Sequence, residues 1–182
     1  PVRPMVKIQA FFHLTHYLIH PIMLWLALIT FPVLIFTNLA SNHWFRIFML
    51  VFVLLGTLAP STLYIVSQKA LYPKSFRQTL WMIPLLSFLG VGISLSNSRA
   101  VFEALSGKKS SFIRTPKRGD SSKVDYGIRM PWLGLFEILL GIYCSFSFYK
   151  YVQMDRAWAI PFILIYSIGF TGVGILTLKE AF

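Results

Sequence analysis

Leu80-Trp81-Met82-Ile83-Pro84-Leu85-Leu86-Ser87-Phe88-Leu89-Gly90-Val91-Gly92-Ile93-Ser94-Leu95-Ser96-Asn97-Ser98 is the stretch on which the fold turns. It is uncharged, and crossing a bilayer as a helix takes roughly 20 predominantly apolar residues. It is also broken up by Pro84, Gly90 and Gly92, and its small or polar residues Ser87, Gly90, Ser94, Asn97 and Ser98 share one helical face. A crossing helix can pack closely through such small residues. The alternative is an interfacial or re-entrant helix, continuing through Arg99-Ala100-Val101-Phe102-Glu103-Ala104-Leu105 to a stop at Gly107.

Four further apolar runs frame this one: Tyr17–Phe36 with Pro21 near its start, Ile47–Val66, Met130–Tyr149 with the single carboxylate Glu137, and Ala157–Leu178. Of the 182 residues 56% are hydrophobic and 13% charged, and the mean hydropathy is +0.67. Soluble domains usually carry about 25% charge and about 45–50% apolar residues, which excludes an ordinary soluble domain. A disordered chain would be far less apolar. Backbone groups in lipid must be satisfied internally, so the runs are helices. Barrel strands of about 10 residues with alternating polarity are the other solution, and no such alternation occurs. Trp44, Trp132 and Trp158 fall at run ends, where aromatic belts are expected.

The basic residues decide between the two readings of 80–98. If all five runs cross, the inside holds ten Lys and Arg against seven outside. If 80–98 does not cross, the N-terminus, 67–79, 99–129 and the C-terminus share one side with 14, against three outside, Arg46, Lys150 and Arg156. The second arrangement obeys the positive-inside rule far better. The expected fold is therefore an all-α membrane protein, one domain over 1–182. It has an interfacial segment 1–16, transmembrane helices 17–37, 44–67, 130–149 and 157–178, an interfacial or re-entrant helix 80–106, and a basic cytoplasmic loop 107–129. Both termini are cytoplasmic, in a plasma or inner membrane.

The net charge of +11 would suggest nucleic acid in a soluble protein. Here the cations lie between apolar runs, so the partner expected is the lipid bilayer with its anionic headgroups, and no nucleic acid. Cys144 is the only cysteine, which excludes an internal disulfide and a thiolate metal site. The start, Pro1-Val2-Arg3-Pro4, has neither an initiator Met nor a secretory-signal pattern, as expected of a processed product or a piece of a longer chain. There is no Ser-His-Asp order, Walker loop or dinucleotide fingerprint. Gly90-x-Gly92 and Gly172-x-Gly174 read as close helix packing.

Polar residues inside an apolar chain are the candidates for function. Gln9, His13, His16 and His20 recur at helical spacing on one face. Imidazole is the commonest metal ligand. With no acidic or Cys co-ligand nearby no metal is expected, and the stripe faces protein, a substrate path or the interface. Glu137 lies well inside a crossing run, where carboxylates face the bundle interior or a cavity. It either hydrogen-bonds a substrate hydroxyl or pairs with Arg99 or Arg129.

The segment 107–129 opens with Lys108, Lys109, Arg114, Lys117 and Arg118 before its first acid, Asp120. Such cations suit a diphosphate or anionic headgroups. Its hexapeptide Phe112-Ile113-Arg114-Thr115-Pro116-Lys117 resembles the F-x-V-T-x-K gating-loop motif of cellulose synthases, the processive family 2 glycosyltransferases. The variant F-V-R-T-P-K belongs to cellulose-synthase-like and mannan-synthase-like relatives. The resemblance extends over Ala10-Phe11-Phe12-His13-Leu14-Thr15, Gly56-Thr57-Leu58-Ala59-Pro60 and Gly92-Ile93-Ser94-Leu95-Ser96-Asn97-Ser98-Arg99-Ala100-Val101. Arg114 departs from the Val of the cellulose synthases.

This resemblance implies two transmembrane helices, an amphipathic interface helix, a gating loop and two more helices, following a cytosolic catalytic domain. It also implies that Phe112, Arg114, Thr115 and Lys117 contact a nucleotide-sugar donor. The family's D-x-D, T-E-D and Q-x-x-R-W signatures do not occur in the 182 residues. By position Pro1 would follow Q-x-x-R-W, so no catalytic residue and no cofactor is expected in this chain. The divalent metal and the nucleotide sugar would belong to a catalytic domain in cis or in trans. Two functions follow: the membrane-embedded part of a glycosyltransferase, or a non-enzymatic structural subunit of a larger membrane complex.

Overall fold

The computed structural model describes residues 3–36, 43–108, 131–154, 156 and 159–181. Among them every regular element is a helix, and there is no strand. The elements are α1 (Pro4–Thr15), a 3-10 turn (His16–Leu18), α2 (Ile19–Phe36), α3 (His43–Leu71), the single turn α4 (Phe76–Thr79), α5 (Met82–Gly92), α6 (Ser94–Leu105), α7 (Pro131–Gln153) and α8 (Ile160–Ala181). Prolines stand at the starts of α1, α5, α7 and α8, as Pro4, Pro84, Pro131 and Pro161, each in a first turn whose N–H groups have no intrahelical acceptor. Pro84 therefore opens α5 and does not break it.

Three stretches are long and apolar enough to cross a membrane: Pro4–Phe36, Pro131–Gln153 and Ile160–Ala181. Together with α5 and α6, counted as one broken span, they make four. The protein is a membrane protein by this measure. The first stretch has 33 residues, about 50 Å of helix against a hydrocarbon core of about 30 Å. It runs through the 3-10 turn at 16–18, where the sequence pattern places the border between interface and membrane. α3 covers the run expected at 44–67 and has 29 residues, about 43 Å.

The 80–106 stretch is two helices meeting at 45°. The bend falls at Ile93, where ψ is −1°. Ile93 N still donates to Leu89 O, and its own carbonyl accepts from Asn97 N at 3.0 Å and from Ser96 Oγ at 2.9 Å. Both backbone groups of Ile93 are thus paired, as lipid or a lipid surface demands.

α7 and α8 form an antiparallel pair, with α5 against α8 and α2 against α6 and α7. One buried cluster joins Ala27, Val91, Cys144 and Phe170 from α2, α5, α7 and α8. A second joins Leu34, Tyr151, Ala159 and Ile163. Around them large apolar side chains are exposed, including Trp25, Phe36, Leu63, Trp81 and Leu139. Exposed apolar area on this scale needs an apolar solvent. Lipid tails are as apolar as leucine, so burial does not drive these helices together. Close van der Waals packing and interhelical hydrogen bonds do.

Glycines allow that approach. A Cβ on Gly174 would lie 2.9 Å from Gly134 O, and one on Gly134 would lie 3.0 Å from Gly174 O. A Cβ on Gly169 would lie 2.6 Å from Phe88 O, and one on Gly92 would collide with Val173. Of the two G-x-G pairs, only Gly92 and Gly174 face a neighbour; Gly90 and Gly172 face open space. Two residues apart on a helix is about 200° around its axis, so one member of each pair must turn away.

Candidate functional site

Among the described residues, polar side chains meet at four helix–helix junctions. The first lies between α7 and α8. Glu137 is 1% exposed, and its Oε2 accepts a hydrogen bond from Thr177 Oγ1 at 2.9 Å. Two turns along α7, Ser145 Oγ and Ser167 Oγ are 2.6 Å apart. Between them the backbone of α7 at Gly141 lies against Thr171. Polar and small residues thus line both helices, at 134, 137, 141 and 145 on one and 167, 171, 174 and 177 on the other. The sequence reading finds Glu137 but assigns its partner to Arg99, Arg129 or a substrate. The partner in the structure is Thr177, and the two matching small-polar stripes were the signal for it. Arg129 lies outside the described residues.

The second junction joins α2 to α6. Asn97 Nδ2 lies 3.0 Å from His20 Nε2. With the amide donating, Nε2 is the acceptor and the ring proton sits on Nδ1, which is buried without a hydrogen-bond partner. The rest of the polar stripe does not join this site. Gln9, His13 and His16 are exposed. His13 and His16 stack with ring centroids 6.2 Å apart, and His16 Nδ1 lies 3.0 Å from His13 O. The 3-10 turn at 16–18 shifts the register, which turns His20 inward. Among the described residues no three His, Cys, Asp or Glu side chains converge as metal ligands.

The third junction ties α2 to α7 and to the segment after it. Tyr143 Oη donates to Leu28 O at 2.5 Å, Tyr151 Oη to Thr30 O at 3.0 Å, and Arg156 Nη1 to Leu34 O at 3.2 Å. Leu34 is in the last turn of α2, whose carbonyls have no helical donor ahead of them. Sequence reasoning identifies none of these three donors. Pro32 inside α2 was the signal for the first of them, since it leaves a carbonyl one turn back in need of a partner.

The fourth is the end of α6, which leads toward the F-I-R-T-P-K hexapeptide. Gly107 takes φ +70°, the left-handed conformation that glycine adopts freely. Lys108 N donates to Glu103 O and Gly107 N to Ala104 O, both at 3.1 Å, the paired bonds of a Schellman stop. Glu103 Oε1 accepts from Arg99 Nε at 3.0 Å and from Lys108 Nζ at 3.3 Å. The Arg99 guanidinium lies over the Trp132 ring, 5.1 Å from its centroid, so this cluster links α6 to the start of α7. Phe112, Arg114, Thr115 and Lys117 lie outside the described residues, as does the rest of 109–130.

Among the described residues of the four junctions, none of these side-chain bonds pairs a nucleophile with a base. What the junctions can do is fix helix positions, present cations at the end of α6, and place a carboxylate inside the bundle. The chain matches no protein-family model, no curated protein and no solved structure.

Proposed function

We propose that this chain is the membrane-embedded part of a nucleotide-sugar-dependent glycosyltransferase. It anchors a catalytic domain supplied in cis or in trans, lines a glycan path and carries a donor-gating loop. The observation that carries the reading is order along the chain. Phe112-Ile113-Arg114-Thr115-Pro116-Lys117 stands between the bent helix pair α5–α6, which ends at Leu105, and a close helical pair beginning at Pro131. That is the order in which processive glycosyltransferases resembling this chain set interface helix, gating loop and terminal pair.

In this reading α2, α3, α7 and α8 cross the membrane. α5 and α6 lie at its cytoplasmic face, and both termini are cytoplasmic. The 14-to-three distribution of Lys and Arg supports the orientation. The 45° bend at Ile93 and the charged end of α6 support an interfacial placement. Arg114 and Lys117 offer charge-assisted donors to the diphosphate of the donor sugar. Phe112 packs against the base or the neighbouring interface helix, Thr115 adds a hydroxyl, and Pro116 restricts the backbone between them. Closure of such a loop excludes water and organises the site. The divalent metal of the reaction would be held by the catalytic domain. Gln9, His13, His16, His20 and Glu137 are polar groups of the interface or bundle interior.

A structural subunit of a larger membrane complex is the second reading. One observation favours it: among the described residues α3 packs mainly on the short α4, and exposes Ile47, Phe48, Val51, Leu63 and Val66. The reading frame containing this chain, expressed whole, separates the two. Membranes that transfer sugar from a labelled nucleotide sugar support the first. Normal membrane insertion with no transfer from any of a panel of nucleotide sugars supports the second.

A further inference from the structure

The end of α6 also forms one side of an open groove of about 460 Å³. Leu24 of α2, with Leu95 and Phe102 of α6, gives it apolar walls, and Arg99, Glu103 and Lys108 gather at its polar end. Such a volume lies in the range of small-ligand sites, about 300–1,000 Å³. Two further lining side chains, Ser98 and Ser106, have their hydroxyl protons committed to Ser94 O at 2.6 Å and Phe102 O at 2.7 Å. Donation to a ligand therefore falls to the cations.

Three features point to an anion with an apolar tail. Two cations share one carboxylate, so the described side chains of this cluster, Arg99, Glu103 and Lys108, sum to a net positive charge. Glu103 and Trp132 hold the Arg99 guanidinium from two sides, so its ordering precedes binding. Lys108 Nζ has three N–H donors, of which Glu103 takes one, and its side chain is 65% exposed. The apolar walls then continue from this cluster toward α2.

We propose that this groove binds an anionic phospholipid, its phosphate held by Arg99 and Lys108 and its acyl chain lying against Leu24, Leu95 and Phe102. The inference is independent of sugar transfer. It rests on the interfacial placement of α6, which puts the cations at headgroup level. Anionic headgroups attract such cations by about 1 kcal/mol each through the surface potential alone. A preformed pair over an apolar groove adds selectivity for one lipid molecule. The bound lipid would bridge α2 and α6 and steady the point from which the hexapeptide segment departs.

The test is native mass spectrometry of the detergent-purified full chain with phosphatidylglycerol, with phosphatidylcholine of the same acyl chains, and with inorganic phosphate. Phosphatidylglycerol should be retained over phosphatidylcholine, and Lys108→Ala should weaken its retention. Arg99→Ala with Lys108→Ala should lower it about tenfold, as the loss of charge-assisted hydrogen bonds implies. Lys69→Ala, at the end of α3, should leave it unchanged. Lys108 is exposed, so its substitution leaves the fold intact, and Lys108→Arg should keep binding. Equal retention of the two lipids, or no effect of Lys108→Ala and the double substitution, would overturn the proposal. Inorganic phosphate that binds alone through Arg99 and Lys108 and displaces the lipid would also overturn it, making this a free-phosphate site.

Discussion

Tyr143 satisfies the carbonyl that Pro32 strands. Pro32 has no N–H to return to Leu28 O four residues earlier, and Tyr143 Oη from α7 donates to that oxygen instead. In lipid no water can take its place. Tyr143→Phe should therefore destabilise the protein by about 1 kcal/mol, the scale of interhelical hydrogen bonds in membranes. The Pro32→Ala substitution restores the missing backbone donor, and in that background Tyr143→Phe should cost less than about 0.5 kcal/mol. Unfolding in mild detergent of the four proteins of this cycle measures the coupling.

The glycines divide into contact and spacer. Gly141→Val should separate α7 from α8, because its Cβ would lie 2.9 Å from the Thr171 backbone nitrogen, and backbone cannot yield as a side chain can. A loss of about 1–3 kcal/mol is expected for such overpacking. Gly172→Ala faces open space and should change stability by less than about 0.5 kcal/mol. Melting temperatures of the two variants, measured side by side, give the comparison.

The helices themselves were legible in the sequence, because a stretch such as Met130–Tyr149 has only one way to satisfy its backbone in lipid. The stop at Gly107 was legible too, because glycine takes the left-handed conformation freely. The bend at Ile93 was not, since Pro84 drew attention to a first turn where proline is harmless. Periodicity assigns residues to a face but does not say which neighbour that face meets. Glu137 was therefore visible as a bundle-interior group, whereas Thr177 required the register of α7 on α8. The polar stripe at 9, 13, 16 and 20 assumes one unbroken α-helix, and the 3-10 turn at 16–18 divides it.

At the Glu137–Thr177 contact the essential feature is an accepting oxygen. Glu137→Gln keeps one and should fold with stability close to the parent. Thr177→Val removes the donor from a buried carboxylate and should cost about 1–3 kcal/mol. Thermal unfolding distinguishes them. Equal, large losses in both would mean that the charge of Glu137 serves a group other than Thr177.

The orientation is tested by impermeant thiol labelling of intact cells. Cys144 is buried, and Cys144→Ser supplies a cysteine-free background. Single substitutions Ser41→Cys, Ser75→Cys and Ser122→Cys then report three connections. Only Ser41→Cys should label from outside. Labelling of Ser75→Cys from outside would mean that 80–98 crosses the membrane.

The proposed gating of a nucleotide-sugar donor by the 112–117 hexapeptide is tested by the Arg114→Ala, Lys117→Ala double variant. Both side chains are assigned to the donor diphosphate, where a charge-assisted bond contributes roughly 1.5–3 kcal/mol. With the catalytic domain present, sugar transfer should fall about tenfold or more, corresponding to a loss above ~1.4 kcal/mol. Expression and melting should stay at parental levels. Unchanged transfer by the double variant would contradict the gating role and leave the basic segment as a charge cluster facing anionic lipid.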